Sequence, residues 1–127
     1  MRRHAKTKVS DGEIARNLRK SVVELLRTLA SEAAQRDYQR NVPFVSVPVE
    51  LVCTWFDDLY HPDDATFRSA FTTAELGALE LFNDFFAWLA HNLPEPPPPL
   101  DVLQRSAQWG ELGRQASKAL ADMGEAT

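Results

Sequence analysis

The chain has 127 residues, of which 44% are hydrophobic and 25% charged, and its formal net charge is −4. That composition suits one globular domain with a core of its own, and it excludes a disordered or low-complexity chain. Cys53 is the only cysteine, which excludes an internal disulfide.

The charge is unevenly spread. Residues 1–40 hold ten Lys/Arg against five Asp/Glu, and residues 41–127 hold four against thirteen. Between 41 and 95, Arg68 is the lone cation among nine carboxylates. No run approaches the roughly 18 apolar residues of a membrane span. The basic N-terminus is followed by no apolar stretch of the kind a secretory signal needs. A cytoplasmic protein with no membrane partner is expected.

Residues 1–10 read as a basic flexible tail. Asp11 is placed to cap a long first helix, in which Ile14, Leu18, Val22, Leu25, Leu26, Leu29 and Ala33 form one apolar stripe. Arg16, Lys20 and Arg27 project from the opposite side. Such a face can meet nucleic acid, but no aromatic residue interleaves with these cations, and a solvated face is the simpler reading.

Asn41 to Val47 is a breaker region. Pro43 and Pro48 bracket Phe44-Val45-Ser46-Val47, expected to cross the core as a short extended connector. The central helix follows, capped by Ser46, with Pro48 in its first turn and its end near His61, before Pro62. Val49, Val52, Cys53, Trp55, Phe56, Leu59 and Tyr60 cover a little under half of its circumference at about 100° per residue. Cys53 is therefore expected in the core. Glu50, Thr54, Asp57, Asp58 and His61 form the remaining polar strip, continued by Asp63 and Asp64.

Either Asp63 or Asp64 can cap a short helix through Phe67 and Phe71. Thr72 and Glu75 form a capping-box pattern that opens the next helix. There Leu79, Phe82, Phe85, Phe86, Trp88 and Leu89 make a wide apolar arc, while Glu80, Asp84 and His91 share the polar side. Pro94-Glu95-Pro96-Pro97-Pro98-Pro99 reads as a strap reaching roughly 19 Å at about 3.1 Å per residue. Its P-x-x-P spacing also suits a proline-reading module. Val102, Trp109, Leu112, Ala116, Ala119, Leu120 and Met123 line one side of the last segment, and Ser106 can cap a fresh start there. Residues 124–127 are expected to be a flexible end. The fold class is thus all-α: a single helical bundle of about four helices over 11–123, with the connector and the proline strap as its irregular parts.

The chain carries no phosphate-binding glycine loop, no nucleophile elbow, no H-E-x-x-H and no cysteine pair, so no catalytic residue and no cofactor are assigned. Asp57 and His61, four apart on a helix, could clip a metal ion. A metal site needs three or four converging ligands, and these carboxylates lie on the wet side, so no metal is assigned either. An acidic strip is better suited to a protein partner with a basic surface. Glu50, Thr54, Asp57, Asp58, His61, Asp63 and Asp64 are the candidate contact residues. The alternatives are a small metal-binding protein or enzyme using Asp57 and His61, and a nucleic-acid-associated protein using the first helix. A homo-oligomer is a further option, since the basic helix of one copy complements the acidic strip of another.

The run from Val42 to Leu51, with Trp55-Phe56-Asp57-Asp58-Leu59-Tyr60-His61-Pro62 and Phe82-Asn83, resembles a group of small bacterial proteins. The resemblance covers roughly residues 42–94, implies an all-α fold and brings no catalytic residue with it. In size, acidity and helicity the chain is also similar to immunity proteins that neutralise a toxin. Its basic first helix departs from a uniformly acidic inhibitor surface.

Overall fold

The computed structural model describes residues 10–126. The expected basic tail therefore lies, save for Ser10, outside the described residues. Among the described residues the chain is all-helical, with seven helices and no strand. That is more helices than the expected four, because the N-terminal helix is divided in two and the short segments Ala65–Ser69 and Leu100–Leu103 are helices of their own.

The division of the N-terminal helix falls at Ala30. Helix α1 spans Asp11–Leu29 and begins one residue earlier than expected: Ser10, not Asp11, is the cap, in a capping box with Glu13. At Ala30 the chain leaves the helix, and the Ser31 side chain accepts from the Ala34 N–H to start α2, Glu32–Asn41. Ala33, expected on the α1 stripe, is exposed on α2, and Ile14 is 43% exposed.

The segment from Val42 to Ser46 is a turn at the surface, closed by Val45 N–H donating to the Val42 carbonyl at 3.2 Å. It does not cross the core. Phe44 is 88% exposed, and only Val47 is buried. Pro43 supplies a turn-ready φ here, and Gln39 ties the turn down by donating to the carbonyls of Val42 and Val45.

Helix α3, Val47–Cys53, runs into a π-helical turn over Thr54–Leu59 that closes with Tyr60 N–H on the Trp55 carbonyl at 2.8 Å. Short α4, Ala65–Ser69, is capped by Asp64. Helix α5, Thr73–Asn92, opens with the Thr72/Glu75 capping box. The proline segment then leads to α6, Leu100–Leu103, and to α7, Ala107–Asp122, capped by Ser106.

Helix α7 packs between α1 and α5. Val22, Leu26, Leu29, Phe82, Phe86, Leu112, Ala116 and Leu120 fill that contact, each at most 2% exposed. Two polar clusters lock the helices in register. Gln35, buried on α2, donates to the Thr28 and Leu29 carbonyls at 3.1 and 3.0 Å and accepts from Trp109 Nε1 and Gln104 Nε2, both at 3.0 Å. Arg19 of α1 meets Glu75 in a two-pronged pair at 2.7 and 2.9 Å. That pair holds the Glu75 carboxyl below the usual carboxylate range, with help from the Thr72 backbone N–H. Arg19 and Arg27 also bind Glu125, and Arg27 donates to the Ala126 carbonyl. The expected loose end at 124–126 is thereby tied to α1.

Candidate functional site

The acidic strip rests on α3, its π turn and the loop into α4. The buried residues of α3 and the turn are Val47, Pro48, Leu51, Trp55 and Leu59. Their centre lies nearer Leu51 than expected. Cys53 is consequently exposed, not buried, and Val49 is 36% exposed. Trp55 anchors the turn. It is fully buried, donates Nε1–H to Asn83 Oδ1 at 3.1 Å, stacks on Tyr60 and meets Phe82 edge-on. Phe56, expected in the core, is half-buried against Phe86.

With Trp55 and Leu59 inward, Asp57 and Asp58 point to solvent. Glu50, His61, Asp63 and Asp64 are exposed as well, and Thr54 is half-buried. None of these carboxylates takes part in an ion pair among the described residues. Arg68, the lone cation between residues 41 and 95, donates instead to the Pro62 carbonyl at 3.2 Å. Elsewhere Glu32, Asp37, Glu75, Glu111, Asp122 and Glu125 each have a basic partner, while Asp11, Glu13, Glu24, Glu95 and Asp101 form no ion pair among the described residues.

Two titrating side chains register the field of this face. Partial desolvation and then the Asp57, Glu50 and Asp58 carboxylates raise the Cys53 thiol. Burial, followed by Glu80, Asp84 and Asp63, raises the Tyr60 hydroxyl. Glu80 and Asp84 of α5 thus belong to the same acidic surface, although they stand more than 20 residues from Asp57 in the chain. The sequence marks them only as the polar side of α5. Their grouping with the strip depends on the docking of the turn on α5, which the Trp55–Asn83 hydrogen bond and the Trp55–Phe82 contact hold in place.

The geometry does not build a metal centre from the strip. His61 Nε2 lies 3.0 Å from the Asp57 backbone carbonyl, which places the ring proton on that nitrogen. Among the described residues no three His, Cys, Asp or Glu side chains converge as a ligand set. The basic side of α1 is also divided. Arg16 and Lys20 are exposed, but Arg27 is engaged by Glu125 and Ala126, and Arg19 by Glu75. No helix among the described residues is long and apolar enough to cross a membrane. Compared with protein-family models, curated proteins and solved structures, the chain matches none.

Proposed function

We propose that this chain is a small cytoplasmic protein-binding module whose acidic face engages a partner with a basic surface. The observation that supports this reading is the concentration of uncompensated carboxylates on one face. Glu50, Asp57, Asp58 and Asp63, with Glu80 and Asp84 alongside, are exposed and form no ion pair among the described residues, while six acids elsewhere in the chain have basic partners. Such a face attracts a complementary partner over about 8–10 Å at physiological salt and repels acidic ones. The finer reading is an immunity-type inhibitor that covers a basic toxin. It rests on size, acidity and helicity, and the basic face of α1 is the feature it leaves unused.

The test is affinity capture from the native cytoplasm with the wild-type chain and with Asp57→Lys/Asp58→Lys. The wild type should retain a basic protein at low salt and release it as salt rises. The double variant should lose that protein while unfolding within about 0.5 kcal/mol of wild type, since both sites are exposed. Trp55→Ala, which empties a fully buried site, calibrates a fold defect at about 3–5 kcal/mol. Capture of the same protein by the double variant, or unfolding of that variant like Trp55→Ala, would end the proposal.

A further inference from the structure

A second surface has the opposite character. On α5, Leu81 is 63% exposed and Trp88 52%, with Phe85 half-buried and tilted against Trp88 at 5.7 Å between ring centres. Ala74 and Gly77 are exposed on the same helix, and a Cβ built at Gly77 meets nothing within 4 Å. At about 100° per residue these five positions fall within an arc of roughly 80°. Ala74, Leu81 and Trp88 are spaced by sevens, the interval at which a helix presents one seam to another helix. The seam is graded, with small residues in its first half and large ones in its second.

That grading says what fits it. A two-fold axis at Leu81 running across α5 sets an antiparallel second copy against the first. Trp88 of each copy then lies over Ala74 of the other, and Phe85 over the open space at Gly77. Large meets small on both sides, which is the self-complementarity a two-fold interface requires. We infer that the α5 face bearing Ala74, Gly77, Leu81, Phe85 and Trp88 is a homodimer interface in which α5 pairs antiparallel about Leu81. One helix of 20 residues is about 30 Å long, so the contact is small and the dimer weak and reversible. Glu80 and Asp84 flank the seam, and the pairing brings them beside the same acids of the second copy. Salt screens that repulsion, so the dimer tightens as salt rises, whereas a basic partner on the acidic face is released.

Sedimentation equilibrium of the full chain tests this. Wild type should be monomeric at about 1 µM and substantially dimeric by about 500 µM. Gly77→Leu adds apolar surface at an exposed position where a Cβ meets nothing of its own copy, yet it fills the space that Phe85 of the second copy needs. It should weaken the dimer by about tenfold or more, as should Leu81→Lys, while both variants keep the wild-type thermal transition or better it. In a Cys53→Ser background, a short bis-maleimide should join Leu81→Cys chains. It should not join Ala74→Cys chains, whose sulfurs would lie roughly 21 Å apart along the helix. A monomer throughout the range overturns the inference, and would leave the face to an amphipathic helix of another protein or to solvent. Tighter association of Gly77→Leu, equal cross-linking at both positions, or loosening by salt would each overturn it too.

Discussion

Replacing Gln35 by Ala should be among the most damaging single changes outside the apolar core. Gln35 is 1% exposed and makes four hydrogen bonds, to Thr28, Leu29, Gln104 and Trp109. Removing it strips partners from groups with unequal access to water. Gln104 is half-buried and its amide also donates to the Glu32 carbonyl, so it loses little. Thr28 is half-buried as well. Trp109 and Leu29 are each 2% exposed, and their indole N–H and backbone carbonyl are the groups left unsatisfied. Each such group costs about 1–3 kcal/mol. The space vacated by the side chain adds to this. A loss of about 3–5 kcal/mol is expected, a large share of the 5–15 kcal/mol typical of a domain.

Urea unfolding followed by tryptophan fluorescence measures it directly, since Trp109 reports on the lost contact. Gln35→Met separates the two causes: it keeps the volume and deletes the hydrogen bonds, so it should recover only the cavity part, about 1–2 kcal/mol. If Gln35→Ala costs less than about 1 kcal/mol, water or a local shift satisfies Trp109 and Leu29, and the reasoning fails.

Glu75 should make stability acid-sensitive. Its folded-state pKa is lowered by Arg19, so its contribution is complete above the unfolded value of about 4.3 and is lost as pH falls through the folded value. Glu75→Gln should be less stable at pH 7 and decline less than wild type between about pH 5 and pH 3, by thermal melts across that range. Cys53, being exposed, should react with a thiol reagent in native buffer, and Asp57→Asn/Asp58→Asn should speed the reaction at about pH 8 by lowering the thiol pKa. The opposite trend would mean that these carboxylates do not face the thiol. Two glycines of α7 should respond with opposite signs in melting experiments. Gly113→Ala drives a Cβ to 3.1 Å from the Leu29 carbonyl, which is backbone and already bonded to Gln35, so it should destabilise by about 1–2 kcal/mol. Gly110→Ala meets only the Arg114 side chain at 3.7 Å and should gain up to about 1 kcal/mol of helix propensity.

Local chemistry explains which features could be read without the structure. The caps at Ser46, Asp64, Thr72 and Ser106 are contacts within three residues, and each is a short pattern in the chain. The break at Ala30 was signalled only by Ser31 followed by an acidic residue, and the apolar rhythm from Ile14 to Ala33 runs through it without a gap. What decides for the break is distant: the bend brings Gln35 beneath Trp109, 74 residues away. Arg19 and Glu75 are 56 residues apart, and Glu75 looks like a finished capping box by itself. The exposure of Trp88 and Leu81 on a helix with apolar residues on most of its circumference depends on which sides the π turn and α7 cover. No periodicity carries that information.

The phase of the acidic strip shows how a small winding error becomes an error about a site. Val47, Leu51, Trp55 and Leu59 are buried and recur every four residues. In an α-helix each such step overshoots a full turn by about 40°, so Leu59 would lie roughly 120° around from Val47. One neighbouring surface could not then cover all four. The π turn over Thr54–Leu59 underwinds the chain, which removes much of that drift and keeps Trp55 and Leu59 on the side of Leu51. Counting at 100° per residue instead averages the stripe toward Val52 and Phe56 and draws Cys53 inward. Asp57 and Asp58 fall outside under either winding, which is why the acids could be placed from the sequence and the cysteine could not. The underwinding also brings Tyr60 back over Trp55, where it sits within the field of Glu80 and Asp84. The turn that seats Trp55 in the core is therefore also what joins the acids of two elements into one face.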